Sequence, residues 1–172
     1  MIDTVTATDV RTAFGRRDTL TAALDRAAPE LARACHAMAG RFARGGRLLA
    51  FGEGMAAADA AHVVVEFTHP VIVGKRALPA LRLADPATLP LFAEPDDIAL
   101  GIGDGAGSAA ALATAAEAGL LTVALGGAHT GVRADHVLAV PSDDPRVVRE
   151  GHVTTYHVLW ELVHVFLEAG VA

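Results

Sequence analysis

Two rhythms of apolar positions alternate along this 172-residue chain. Over 18–44, Leu20, Leu24, Leu31, Met38 and Phe42 recur at helical spacing until Gly45-Gly46 ends the run, with Pro29 starting or kinking a turn inside it. Short continuous apolar runs then appear at RLLAFG (47–52), LPALRL (78–83), DIALGIG (97–103), within AGLLTVALGG (118–127) and within DHVLAVPS (135–142). Each reads as a buried strand. Between them, MAAADAAHVVVEFTH (55–69) and the small-residue stretch 107–118 read as helices, and ADPATLPLFAEPDD (84–97) as a short Pro-rich connection. A long closing helix is expected from near Pro145 to about Glu168, capped by Ser142 or Asp143. Short apolar strands separated by helices predict an α/β fold with a parallel sheet covered on both faces. With no repeat, low-complexity tract or linker, 1–172 is expected to form one domain.

Composition sharpens this picture. Hydrophobic residues make up 52% of the chain but aromatics only 5%, which favours helical layers packed closely through small side chains. A net charge of −6 gives no general affinity for nucleic acid, and any acidic ligand would need local donors. The lone Cys35 lies in the helical stretch ELARACHAMAG, so it reads as a buried structural thiol in a reducing compartment. The N-terminal MIDTVTATDV lacks a basic region followed by an apolar run, and no uncharged apolar stretch reaches the roughly 18–20 residues of a membrane span. A cytoplasmic protein with no membrane partner is expected.

In a parallel sheet, ligands bind beyond the carboxyl ends of the strands, where turns lead into helix N-termini. Two such turns stand out: FGEGMAAAD after the first strand and GIGDGAGSAA after the third. Their glycines let backbone approach an anion that helix amides attract, and the same glycines also suit a tight strand-to-helix reversal with no ligand. On the helix between them, positions 62, 66 and 69 fall within roughly 60° of one another at about 100° per residue, so His62, Glu66 and His69 can converge. Imidazoles with a carboxylate suit zinc, and also nickel, iron or manganese; otherwise such histidines pack partly buried and hydrogen-bond to neighbours. Trp160, Leu162, Val163 and Phe166 read as core or subunit interface, Arg41, Arg44 and Arg47 as a solvated rim, and PSDDP as a turn and helix cap.

The two glycine turns, LPALRL and the ending ADHVLAVPSDDPRVVREGHVTTYHVLWELV together make the chain similar to the sugar isomerase (SIS) domain family, and within it to the phosphoheptose isomerases. The resemblance covers nearly the whole chain. It implies a three-layer αβα sandwich on a five-stranded parallel sheet, flavodoxin-like, with an extra N-terminal helix. It also implies a homotetramer, with 1–44 packing on the domain and at the oligomer interface. The chemistry it implies is aldose–ketose exchange through an enediol, with Glu66 and His157 as the catalytic pair. A divalent metal, zinc first, would be held by His62, Glu66 and His157; by residue type alone, His152 and His164 are further candidates on the last helix. The ligand would be cradled by Gly52, Glu53, Gly54, Ala56, Asp104, Gly105 and Ser108.

The cradle departs from the family pattern. Where relatives carry Asn-Gly-Gly-Ser, this chain has Glu53, Gly54, Met55 and Ala56; where they carry Ser-Thr-Ser-Gly-Asn-Ser, it has Gly103, Asp104, Gly105, Ala106, Gly107 and Ser108. Of the hydroxyl donors only Ser108 remains. An arginine of relatives aligns with Pro70 and a glutamine with Arg149, and the 84–97 connection is too short for the extra helix found there. Two expectations follow: a divergent SIS protein binding a sugar-derived or other small ligand, with sugar-phosphate isomerase activity weakened, or a non-catalytic SIS scaffold or regulator that binds a metal or a protein partner.

Overall fold

Strand-forming residues here are those whose two faces are both covered. Leu48–Gly52 (β1), Ile98–Ile102 (β3) and Leu121–Gly126 (β4) are buried at every position, as expected of central strands in a parallel sheet. In the computed structural model, which describes residues 5–18 and 20–170, these pair with Ala80–Arg82 (β2) and His136–Ala139 (β5) in the all-parallel order β2-β1-β3-β4-β5. The chain reverses its direction of travel across the sheet between β1 and β3. The two glycine turns therefore leave neighbouring strands at the switch point where an α/β sheet opens a crevice.

Alternate strand residues feed two cores. Leu48, Ala50, Ile98, Leu100, Val123 and Leu125 face one side, against Ala28–Ala43 (α3), Ala56–Thr68 (α4) and Pro145–Ala169 (α7). Leu49, Phe51, Ala99 and Ala124 face the other, against Ala106–Glu117 (α6) and Leu89. This is the three-layer αβα sandwich. Cys35 is fully buried in the first core, and burial pushes its thiol up to about 12, so it is packing and not a nucleophile.

The N-terminal region differs from the single helix expected over 18–44. It forms Ala7–Gly15 (α1), Leu20–Arg26 (α2) and α3. The break falls at Ala27, because Pro29 lacks an N–H and is accommodated only in the first turn of α3. The start of α1 is a capping box in which Thr6 and Asp9 exchange hydrogen bonds. A bidentate ion pair from Arg17 to Glu150, 2.6 Å at both nitrogens, ties this region to α7.

Three further details correct the sequence reading. The cap of α7 is Asp144, whose carboxylate accepts from Arg146 N at 3.0 Å. Pro145 takes the first helical position and holds the residue before it extended, so Asp144 rather than Ser142 or Asp143 is placed to cap. The 84–97 connection does contain helix, a 3-10 turn Pro86–Thr88 and one turn Leu89–Phe92 (α5), because Leu89 plugs the second core. Arg41, Arg44 and Arg47 are not a free rim: Arg47 pairs with the buried Asp97 at 2.6 Å, Arg44 with Asp96, and Arg41 donates to the carbonyls of Pro95 and Gly119. Among the described residues, no helix is long and apolar enough to cross a membrane.

Candidate functional site

Helices α4 and α7 pack side by side on the first face of the sheet, and each turns a polar stripe toward the other. Ala60, Val63 and Phe67 of α4 are spent on the core. The adjoining stripe carries Asp59, His62 and Glu66, one helical turn apart in succession. From α7 come Arg149, Tyr156 and His157. His62 Nε2 lies 3.1 Å from Glu66 Oε1, and His157 Nε2 lies 3.6 Å from the same oxygen. The three ligand atoms are within 4.8 Å of one another. Glu66 is the enclosed member, with its side chain 12% exposed against 45% for His62 and 41% for His157.

This donor set fits a divalent metal. Zinc bonds of 2.0–2.2 Å to imidazole and carboxylate place tetrahedral neighbours about 3.3 Å apart, and the two separations to Glu66 bracket that value. Three protein ligands with a remaining open position are the pattern of catalytic rather than closed structural sites. The other histidines do not join. His69 is the cap residue just past α4, facing Thr68. His152 is buried and donates from Nε2 to Gly126 O at 3.0 Å, and burial holds its pKa below the usual histidine value. Both ring nitrogens of His164 face backbone carbonyls, those of Trp160 and Arg76.

Sequence reasoning missed two members of the neighbourhood. Tyr156, the only tyrosine, is 1% exposed and its hydroxyl lies 2.8 Å from His62 Nδ1. Burial, ahead of the nearby Asp59 and Glu66 carboxylates, pushes its phenol up to about 12, so it keeps its proton at neutral pH. Asp59, 4% exposed, receives Arg149 Nε and Nη2 at 3.0–3.2 Å. Arg149 is thereby committed to a carboxylate one turn from His62. The i, i+3 spacing of Asp59 and His62 and the adjacency of Tyr156 to His157 were the available signals.

The cradle forms where the switch point predicts, and it holds a side chain of its own. Glu53, in the turn made by Gly54 at φ 58°, reaches across to α6, where its Oε2 accepts from Gly107 N at 2.9 Å and Ser108 N at 3.2 Å. A Cβ on Gly107 would lie 2.8 Å from Glu53 Oε1, so glycine there gives the carboxylate its room. Asp104 turns the other way and accepts from Gly127 N at 3.2 Å. Ser108 Oγ is buried without a hydrogen-bond partner among the described groups. Gly52 ends β1, and Gly105 caps α6. Met55, Ala56, Asp59, Asp104, Arg149 and His152 line a cleft of about 590 Å³ beside the cradle. The His62 side of the cluster opens instead into a second cavity of about 380 Å³, and Asp59 and Arg149 line both.

Comparison with known proteins follows the same lines. The chain is 34% identical to the phosphoheptose isomerase of Roseiflexus sp. (strain RS-1), covering 71% of this chain and 74% of the relative. It is 33% identical to that of Halorhodospira halophila (strain DSM 244 / SL1), covering 86% of this chain and 88% of the relative. The solved phosphoheptose isomerase from Francisella tularensis superposes with a TM-score of 0.84 at 22% identity, over 94% of this chain and 100% of that one. The sugar isomerase domain of the RpiR transcription factor from Sphaerobacter thermophilus superposes at 0.67 with 20% identity, over 94% and 92%. No family model matches the chain. Identity above 30% across most of both lengths, on a shared fold, means that the chain belongs to the phosphoheptose isomerase family of SIS-domain proteins.

Proposed function

We propose that this SIS-domain protein carries out aldose–ketose chemistry on a sugar-derived ligand at the Glu66–His157–His62 centre, and that sedoheptulose 7-phosphate is at best a poor substrate. The observation that carries the second half is the Glu53 carboxylate on the amides of Gly107 and Ser108. Those N–H groups are the donors a phosphate would take, each worth roughly 1–3 kcal/mol to a charged acceptor. A second anion at about 4 Å from Glu53 would meet repulsion on the order of 4 kcal/mol at an effective dielectric near 20. In the proposed reaction Glu66 takes the proton from the carbon beside the carbonyl while His157 supplies one to the carbonyl oxygen, giving an enediol. Glu66 then returns the proton to the former carbonyl carbon while the hydroxyl on the other carbon gives its proton to His157, so that both groups end as they began. His62, Glu66 and His157 would hold a divalent metal, zinc first, which when bound supplies a Lewis acid for the ligand's oxygens.

A coupled assay tests the reading. Sedoheptulose 7-phosphate should turn over far below a typical rate of about 10 per second, and Glu53→Ser should raise kcat/KM by at least tenfold. Ordinary turnover by the unsubstituted chain would overturn the exclusion of phosphate. The filled cradle also supports a second reading, a non-catalytic SIS scaffold that binds a metal or a protein partner. A chain that binds ketoses without interconverting them, in the Glu53→Ser form as well, would select it. In either reading we propose a homotetramer, supported by the apolar side chains exposed on the single chain: Val10 and Phe14 of α1, Val165 of α7, and Val71 and Val73 after α4.

A further inference from the structure

The proposed chemistry uses Glu66, His157 and His62 but leaves Tyr156 without a part, although its hydroxyl reaches the one His62 nitrogen that points away from the cluster. A neutral imidazole carries a single N–H. In the arrangement described, Nε2 faces the Glu66 carboxylate, which only accepts, so the N–H belongs at Nε2 and Nδ1 must receive its hydrogen from the Tyr156 hydroxyl 2.8 Å away. For Nε2 to offer a lone pair to a cation or a proton, the N–H must instead sit at Nδ1 and donate. The partner of Nδ1 then has to accept. A carboxylate or a backbone carbonyl in that place would serve the second state alone; a hydroxyl serves both by rotating about its C–O bond. The imidazole carries one N–H and the phenol one O–H in either state.

We infer that Tyr156 is a positioning residue whose hydroxyl holds His62 in either neutral tautomer, so that Nε2 can serve as a donor to Glu66 or as an open lone pair without losing the bond at Nδ1. The tyrosine ring reinforces this placement. It lies 5.3 Å from the His62 ring at 76° and 4.9 Å from the His157 ring at 49°, so one buried side chain of α7 sets both imidazoles. Its bond to His62 also crosses from α7 to α4, the two helices between which the cluster is assembled. Without it, the 45% exposed His62 side chain would keep only its hydrogen bond to Glu66 and the edge of the His157 ring.

This inference rests on the proposed function for the role of the cluster, and its test has two arms for that reason. The full-length chain and its Tyr156→Phe form, which keeps the ring and its packing, are titrated with zinc against a chromophoric chelator. In parallel, the imidazole nitrogens of His62 are recorded by 15N NMR in the zinc-free chains. Tyr156→Phe should weaken zinc binding about 10- to 100-fold, the range for loss of an outer partner of a ligating histidine. It should also move the zinc-free Nδ1 resonance toward that of an unbonded imine nitrogen, a change that lost packing alone would not give. An affinity within twofold of the unsubstituted chain overturns the inference, as does an unmoved Nδ1 resonance. If the unsubstituted chain takes up no zinc, the metal reading of the centre falls, and the Nδ1 resonance alone decides for or against Tyr156.

Discussion

At the scale of single residues, Glu53 and Glu66 show how one chemical group takes opposite parts according to what surrounds it. Glu53 meets only donors at the start of α6 and so occupies an anion's place; Glu66, between two imidazoles, faces groups that can share a proton or a cation with it. The proposed metal centre gives a direct expectation. Chain dialysed against excess zinc and then against buffer should retain up to one zinc per chain by elemental analysis. His62→Ala and His157→Ala should each lose it, and His36→Ala, on α3 against Phe166 and outside the cluster, should keep it. Retention by the His62→Ala and His157→Ala forms would place the metal elsewhere. His62 and Glu66 were legible because an i, i+4 pair on one helix fixes its own geometry. Tyr156 and Asp59 were not, because their partners lie on another helix and their roles depend on how α4 and α7 are rotated against each other.

At the scale of elements, α7 is fixed along its length by contacts of different kinds: Arg17 on Glu150, Arg149 on Asp59, His152 on the end of β4, and the core contacts of Tyr156, Leu159 and Val163. His152 makes one of these sensitive to pH. Burial lowers its pKa in the folded chain from an ordinary value of 6.5. Below pH 6.5 the unfolded chain therefore binds a proton that the folded chain does not, and stability rises with pH. His152 contributes in full above 6.5, and its contribution is lost as pH falls from 6.5 through the lowered value. Where the difference is a whole proton, the slope is about 1.4 kcal/mol per pH unit. Urea midpoints between pH 7.5 and 5.5 should fall more steeply for this chain than for His152→Gln; equal slopes would remove His152 as the cause. The strands and the long helices were readable from pattern because burial on two faces, or one, writes itself into the spacing of apolar residues. The division of 18–44 was less so: Pro29 announced a disturbance, but apolar spacing does not distinguish a kink from two helices meeting at Ala27.

At the scale of the whole molecule, the order β2-β1-β3-β4-β5 brings two turns from distant parts of the sequence together at the carboxyl end of the sheet; the family resemblance implied the five-stranded parallel sheet but not this order. The proposed tetramer belongs to this scale as well. Light scattering at micromolar concentration should give about four chain masses, and a stable monomer would refute it. The salt link from Asp59 to Arg149 borders both the cleft beside the cradle and the cavity beside His62. One side chain from α4 and one from α7 are thus part of the wall common to both cavities.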